Sequence, residues 1–66
     1  MRLTTIKLLR LKQGLLQIEV AWRARIPRAR LSEIENAHRQ PAPSELERLA
    51  AVLNVPVDRL VHGDGP

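Results

Sequence analysis

Residues 17–36 read QIEVAWRARIPRARLSEIEN, and the organisation of the whole chain follows from how this stretch divides. Val20, Ala21 and Ala24 share one face at i, i+1, i+4 spacing, which predicts a helix over 17–24. Pro27 comes three residues later. Its ring presets φ near −65° and its missing N–H costs nothing in a first helical turn. A second helix is therefore predicted over 27–36, with Leu31 and Ile34 as its inward pair. At 100° per residue, Ala29, Ser32, Glu33 and Asn36 point the other way, with Arg28 and Arg30 on the flanks.

Two short helices joined by a turn of three or four residues meet the geometric definition of a helix-turn-helix, placed here at about 17–36. Upstream, Ile6 and Leu9 carry a helix over 5–13, with Thr4 or Thr5 available to cap its start. Gly14 suits the left-handed position that ends it. Downstream, a loop over 38–43 holds Pro41 and Pro43. Ser44 and Glu47 then match the capping-box spacing, so a fourth helix is expected to start there. Leu46, Leu49, Ala50 and Leu53 form its stripe, and Asn54 its C-terminal cap. Pro56 and Asp58 open a short fifth helix carrying Leu60 and Val61, which Gly63 closes. The expected architecture is all-α: one domain over 1–66, with a core at about 5–62.

Composition agrees. There is no Phe or Tyr, against the demand of small β-folds for aromatic residues, while Leu, Ala, Arg and Glu favour helix. With no cysteine, neither a disulfide nor a cysteine–zinc site braces the chain. His38 and His62 lack ligand spacing, so neither metal nor cofactor is expected. No apolar run approaches the ~18 residues of a membrane span, and the N-terminus lacks the pattern of a signal peptide. A cytoplasmic location is the simplest expectation.

The charge is unevenly placed. Residues 1–39 hold nine Lys/Arg against three acids, and residues 40–66 two Arg against four acids. Arg23, Arg25, Arg28, Arg30 and Arg39 concentrate the positive side, an asymmetry suited to a polyanion met by one face. An enzyme is not expected: no nucleophile, base and orienting group come together in the pattern.

The run Leu15-Leu16-Gln17-Ile18-Glu19-Val20-Ala21, then Ile26, Leu31-Ser32-Glu33-Ile34-Glu35-Asn36, Arg39 and Pro41, resembles the lambda-repressor-like helix-turn-helix family of phage repressors, Cro proteins and Xre-type regulators. The likeness continues through Leu46, Leu49, Ala50, Leu53, Asn54-Val55-Pro56 and Leu60, covering about residues 6–61. It implies a compact five-helix domain whose third helix lies in the major groove of double-stranded DNA. It also implies that Gln17 touches phosphate and braces the third helix, that Asn36 contacts phosphate, and that Arg10 pairs with Glu35 near the phosphates. That pair is worth ~3–5 kcal/mol if buried, under ~1 kcal/mol if solvent-screened. Three positions depart from the pattern. Arg25 and Ala37 stand where the family has glycine, and Leu16 where it has a Ser or Thr cap, so helix two either frays or leans on Gln17.

Arg28, at the start of helix three, is the expected base reader, because its fork fits guanine O6 and N7 for ~1–3 kcal/mol of discrimination. Ala29 suits a thymine methyl, Ser32 is adaptable, and Glu33 either accepts from cytosine N4 or balances Arg30 at i, i+3. Arg10, Arg23, Arg25, Arg30 and Arg39 join Gln17 and Asn36 as expected backbone contacts. Ile18 and Trp22, four apart, form an apolar stripe. One reading makes it a self-association or partner face; the other has Trp22 fold over Ala24 or stack on Arg23 or Arg25. Relatives in the resembled family pair through the last helix, which here gives Pro56, Val57, Leu60 and Val61 as dimer contacts, weak or formed on DNA. The leading expectation is a sequence-specific regulator, a repressor or controller protein acting as a homodimer. The alternative is a protein-interaction module or antitoxin working through Ile18 and Trp22.

Overall fold

Four of the five helices end in the same way, and that repeated device sets the path of the chain. The computed structural model describes residues 4–62, without the side chain of His62. Its helices are α1 (Thr5–Lys12), α2 (Gln17–Ala24), α3 (Arg28–Glu35), α4 (Pro43–Leu53) and α5 (Val57–His62). After each of α1 to α4 one residue turns left-handed: Gly14 (φ 71°), Arg25 (56°), Ala37 (62°) and Asn54 (58°). The N–H one position further on reaches back to a carbonyl in the last turn: Leu15 to Arg10, Ile26 to Ala21, His38 to Glu33 and Val55 to Ala50, at 2.8–3.1 Å. This is the Schellman closure, in which an apolar residue beyond the turn packs back on the helix. Ile26 is buried in the core, and Leu15 and Val55 pack against it. At Arg25 and Ala37 a Cβ occupies the left-handed region, at a cost of about 1 kcal/mol or more each.

The helix starts are less uniform. Thr4 caps α1, its Oγ1 accepting from Lys7 N at 3.1 Å. Leu16 precedes α2 and has no side-chain acceptor. Glu19 compensates by taking the Leu16 N–H at 3.0 Å, so Gln17 does not serve as the cap. Pro27 stands just before α3, with ψ 139°, instead of inside it. The expected Ser44/Glu47 box is corrected. Pro43 is already helical, so the cap position falls on Ala42, and Glu45 three residues on accepts the Ala42 N–H at 2.8 Å. Proline fits that first position because the N–H it lacks would have had no partner there. The expected Gly63 stop lies outside the described residues.

Helix α2 packs against α3 and α4, and α1 and α5 close on α4 and on each other. Ile6, Leu9, Val20, Ala21, Ala24, Ile26, Leu31, Ile34, Leu49, Ala50, Leu53 and Leu60 make one core without an aromatic ring. Small residues on α2 let it approach its neighbours closely, while Leu31, Leu49 and Leu53 fill the space between them. Two side chains close helix ends over distance: Arg48 Nε donates to Ala24 O at 2.7 Å, and Gln13 Nε2 to Leu53 O at 2.7 Å. No strand occurs among the described residues, and no helix there is long and apolar enough to cross a membrane.

Candidate nucleic-acid interface

Helix α3 is gripped on both flanks, and its remaining face is left open. On the α1 and α2 side, Glu35 is 1% exposed and carries a carboxylate that burial would otherwise penalise heavily. Arg10 answers it with two hydrogen bonds, Nε to Oε2 at 2.7 Å and Nη2 to Oε1 at 3.1 Å. The third guanidinium nitrogen, Nη1, donates to Leu15 O at 3.0 Å. Gln17 Nε2 then donates to Glu35 Oε1 at 3.2 Å, and Gln17 Oε1 accepts from Arg28 Nε at 3.4 Å. A relay thus runs from the end of α1 through Glu35 and Gln17 to Arg28 at the exposed head of α3. Every buried side-chain polar atom among the described residues has a partner.

The C-terminal end of α3 is tied to the start of α1. Thr4 Oγ1 donates to Glu35 O at 2.9 Å, and Lys7 Nζ to Asn36 Oδ1 at 3.5 Å. On the opposite flank, Arg30 forks onto Glu45, with Nε–Oε2 2.6 Å and Nη2–Oε1 2.7 Å. The Arg30 hydrogen bonds, aided by the Ala42 N–H, hold the Glu45 carboxyl down at about 2. The same contact raises Arg30 further above its ordinary range. Glu45 therefore caps α4 and anchors α3 with one carboxylate.

Between these flanks, Arg28 and Ala29 are exposed, and Ser32, Glu33 and Asn36 are half-buried on the outward side. Glu33 pairs with Arg39 (Nε–Oε2 3.1 Å) and not with Arg30. All four expected base-reading residues thus share one surface with Asn36 and Arg39. Arg25 is exposed at the turn between the two helices.

Three expected contacts lie elsewhere. Arg10 is 9% exposed and its guanidinium points inward, so it lies behind the surface as a support for Glu35. The Arg30 fork turns toward α4 and bonds Glu45 with two nitrogens, although its side chain stays 37% exposed. Leu60 belongs to the core at 9% exposure, whereas Pro56 and Val61 are exposed and Val57 is half-buried. Trp22, at 81% exposure, neither folds over the fully buried Ala24 nor takes shelter beside the arginines, and Ile18 is 56% exposed.

Thr4, Lys7 and Glu45 were not among the expected site residues. Only Glu45 carried a usable signal: with Pro43 at the first helical position, it falls where a capping carboxylate belongs. The other two act across long sequence separation and leave no local pattern.

The helix-turn-helix family model matches residues 6–60. Among solved structures, the N-terminal DNA binding domain of SinR from Bacillus subtilis is similar. It has a TM-score of 0.79 and 35% identity, over 85% of this chain and 83% of that one. None of the curated proteins compared with the chain matches it. The family match spans α1 to α5 and so takes in both the relay behind α3 and the open face in front of it: this chain belongs to the helix-turn-helix family.

Proposed function

We propose that the chain is a sequence-specific, double-stranded DNA-binding transcription regulator of the cytoplasm that lays α3 in the major groove. One observation carries this reading. Arg28 is exposed at the head of α3 yet held by Gln17, which the buried Arg10–Glu35 pair fixes in turn. Such a head is oriented before it meets a base, and pre-organised contacts lose less conformational freedom on binding. Arg28 reads guanine bidentately, Ala29 meets a thymine methyl, and Ser32 and Glu33 sample neighbouring base edges. Arg39, Asn36 and the rim of Gln17 neutralise or bond phosphates, which supplies affinity without sequence choice. Lys7, beside Asn36, adds a positive charge at the same edge. The similar Bacillus subtilis domain is itself a DNA-binding domain, which supports the assignment.

The regulator acts as a homodimer, a repressor or controller in kind. The surface for pairing lies around Pro56, Val57 and Val61. It borders a groove of about 230 Å³ walled by Thr5, Ile34, Ala37, Pro41 and Leu46. In this reading the half-sites lie one helical turn apart, about 34–36 Å, the spacing at which two-fold helix-turn-helix dimers bind. Selection of bound sites from random duplexes tests the reading. A recovered site with two-fold symmetry and G at a fixed position in each half supports it. Recovery of no enriched sequence refutes it.

A further inference from the structure

The outer face of α2 carries apolar surface that DNA recognition does not use. Ile18 and Trp22 are 56% and 81% exposed. At 100° per residue, Trp22 lies ~140° around α2 from Gln17, the residue that meets the head of α3. A duplex against Gln17 and Arg28 therefore leaves Trp22 open. The charges around this face are equally distinct. Arg10, Arg28, Arg30, Arg39 and Arg48 all have hydrogen-bond partners within the chain. The side chains of Arg23 and Arg25, exposed at the C-terminal end of α2, have none among the described residues. Glu19, the one acid on this helix, is occupied by the Leu16 N–H.

We propose that this face docks an acidic, apolar segment of a partner protein, a peptide that sets Leu-like side chains against Ile18 and Trp22 and carboxylates against Arg23 and Arg25. An exposed tryptophan is the side chain most enriched at interface hot spots, and unpaired arginines beside it set the sign of the partner. A second copy of this chain fits poorly, because two-fold pairing here would gather the arginines of both copies around one patch.

The test uses fluorophore-labelled helical peptides and the whole chain. One peptide presents a Leu stripe flanked by Glu, and a control has Lys at every Glu position. The expected result is saturable anisotropy with the Glu peptide, which also shifts the emission of Trp22. Binding is at least about tenfold weaker for the Lys control. Trp22→Ser and Ile18→Ser each weaken it by roughly thirtyfold or more, as hot-spot truncations do. Both variants keep their helical circular dichroism and their affinity for duplex DNA, which shows that they remain folded. Equal binding of the two peptides overturns the proposal, as does no saturable binding up to millimolar peptide. Self-association that disappears in Trp22→Ser would assign the face to a second copy and overturn it too.

Discussion

Removing Arg10 tests the relay behind the reading head. In Arg10→Ala, Glu35 stays almost fully buried and keeps only the Gln17 amide, losing two charge-assisted bonds of 2.7 and 3.1 Å. Breaking one side of a buried ion pair costs about 3–5 kcal/mol, because the remaining charge is stranded away from water. At ~0.05–0.15 kcal/mol per residue, 66 residues have roughly 3–10 kcal/mol of total stability. The single variant is therefore marginal or unfolded at 25 °C. Urea unfolding followed by circular dichroism measures this. With a slope of ~1 kcal/mol per M, a 3 kcal/mol loss lowers the midpoint by about 3 M. Arg10→Met combined with Glu35→Leu recovers most of the stability, since apolar residues of similar volume replace a buried pair at little cost. The double variant nevertheless leaves Gln17 without its anchor, so it is folded but discriminates less sharply between sites. A loss below about 1 kcal/mol in Arg10→Ala, as expected of a screened surface pair, would refute the reasoning.

Other outcomes follow from the same geometry. Arg28→Ala relaxes preference at one base position by ~1–3 kcal/mol, read by titrating single-site operator variants. Arg39→Ala weakens all duplexes alike and reduces the salt slope by about one, read from affinities at several salt concentrations. Ala37→Gly relieves a left-handed Cβ at φ 62° and stabilises by about 1 kcal/mol, a rise of roughly 4–8 °C in Tm by calorimetry. Glu45 titrates at about 2 in the folded chain against an ordinary 4.5. Because the folded value is the lower one, its contribution is complete above pH 4.5 and is lost as pH falls toward 2. Thermal midpoints between those pH values should fall less steeply in Glu45→Gln than in the unaltered chain.

The parts of the molecule written in local pattern were legible beforehand. The bounds of α2 follow from Val20, Ala21 and Ala24, and the left-handed ends at Gly14 and Asn54 follow from residues that favour that conformation. The left-handed turns at Arg25 and Ala37 could be placed only through family resemblance, since neither residue type favours positive φ. The start of α4 was misplaced because Ser44 and Glu47 match a capping pattern that Pro43 pre-empts by one residue. At the site, helical angles alone put Ala29, Ser32, Glu33 and Asn36 on one face, with Arg28 at its flank. They could not show that Arg30 turns to Glu45, or that Arg39 and not Arg30 balances Glu33, because those pairs depend on where the loop after α3 returns the chain. Leu60 looked like an interface residue for a similar reason. One turn of helix separates its buried position from the exposed Pro56 and leaves no sign of which faces inward.

The most direct measurement is a map of backbone amide shifts as the labelled chain is titrated with a duplex recovered by selection. Insertion of α3 into the groove predicts the largest, saturating shifts at Gln17 and across residues 28–36, with Trp22 little changed. Shifts centred on Ile18 and Trp22, or none at low ionic strength, would contradict the account.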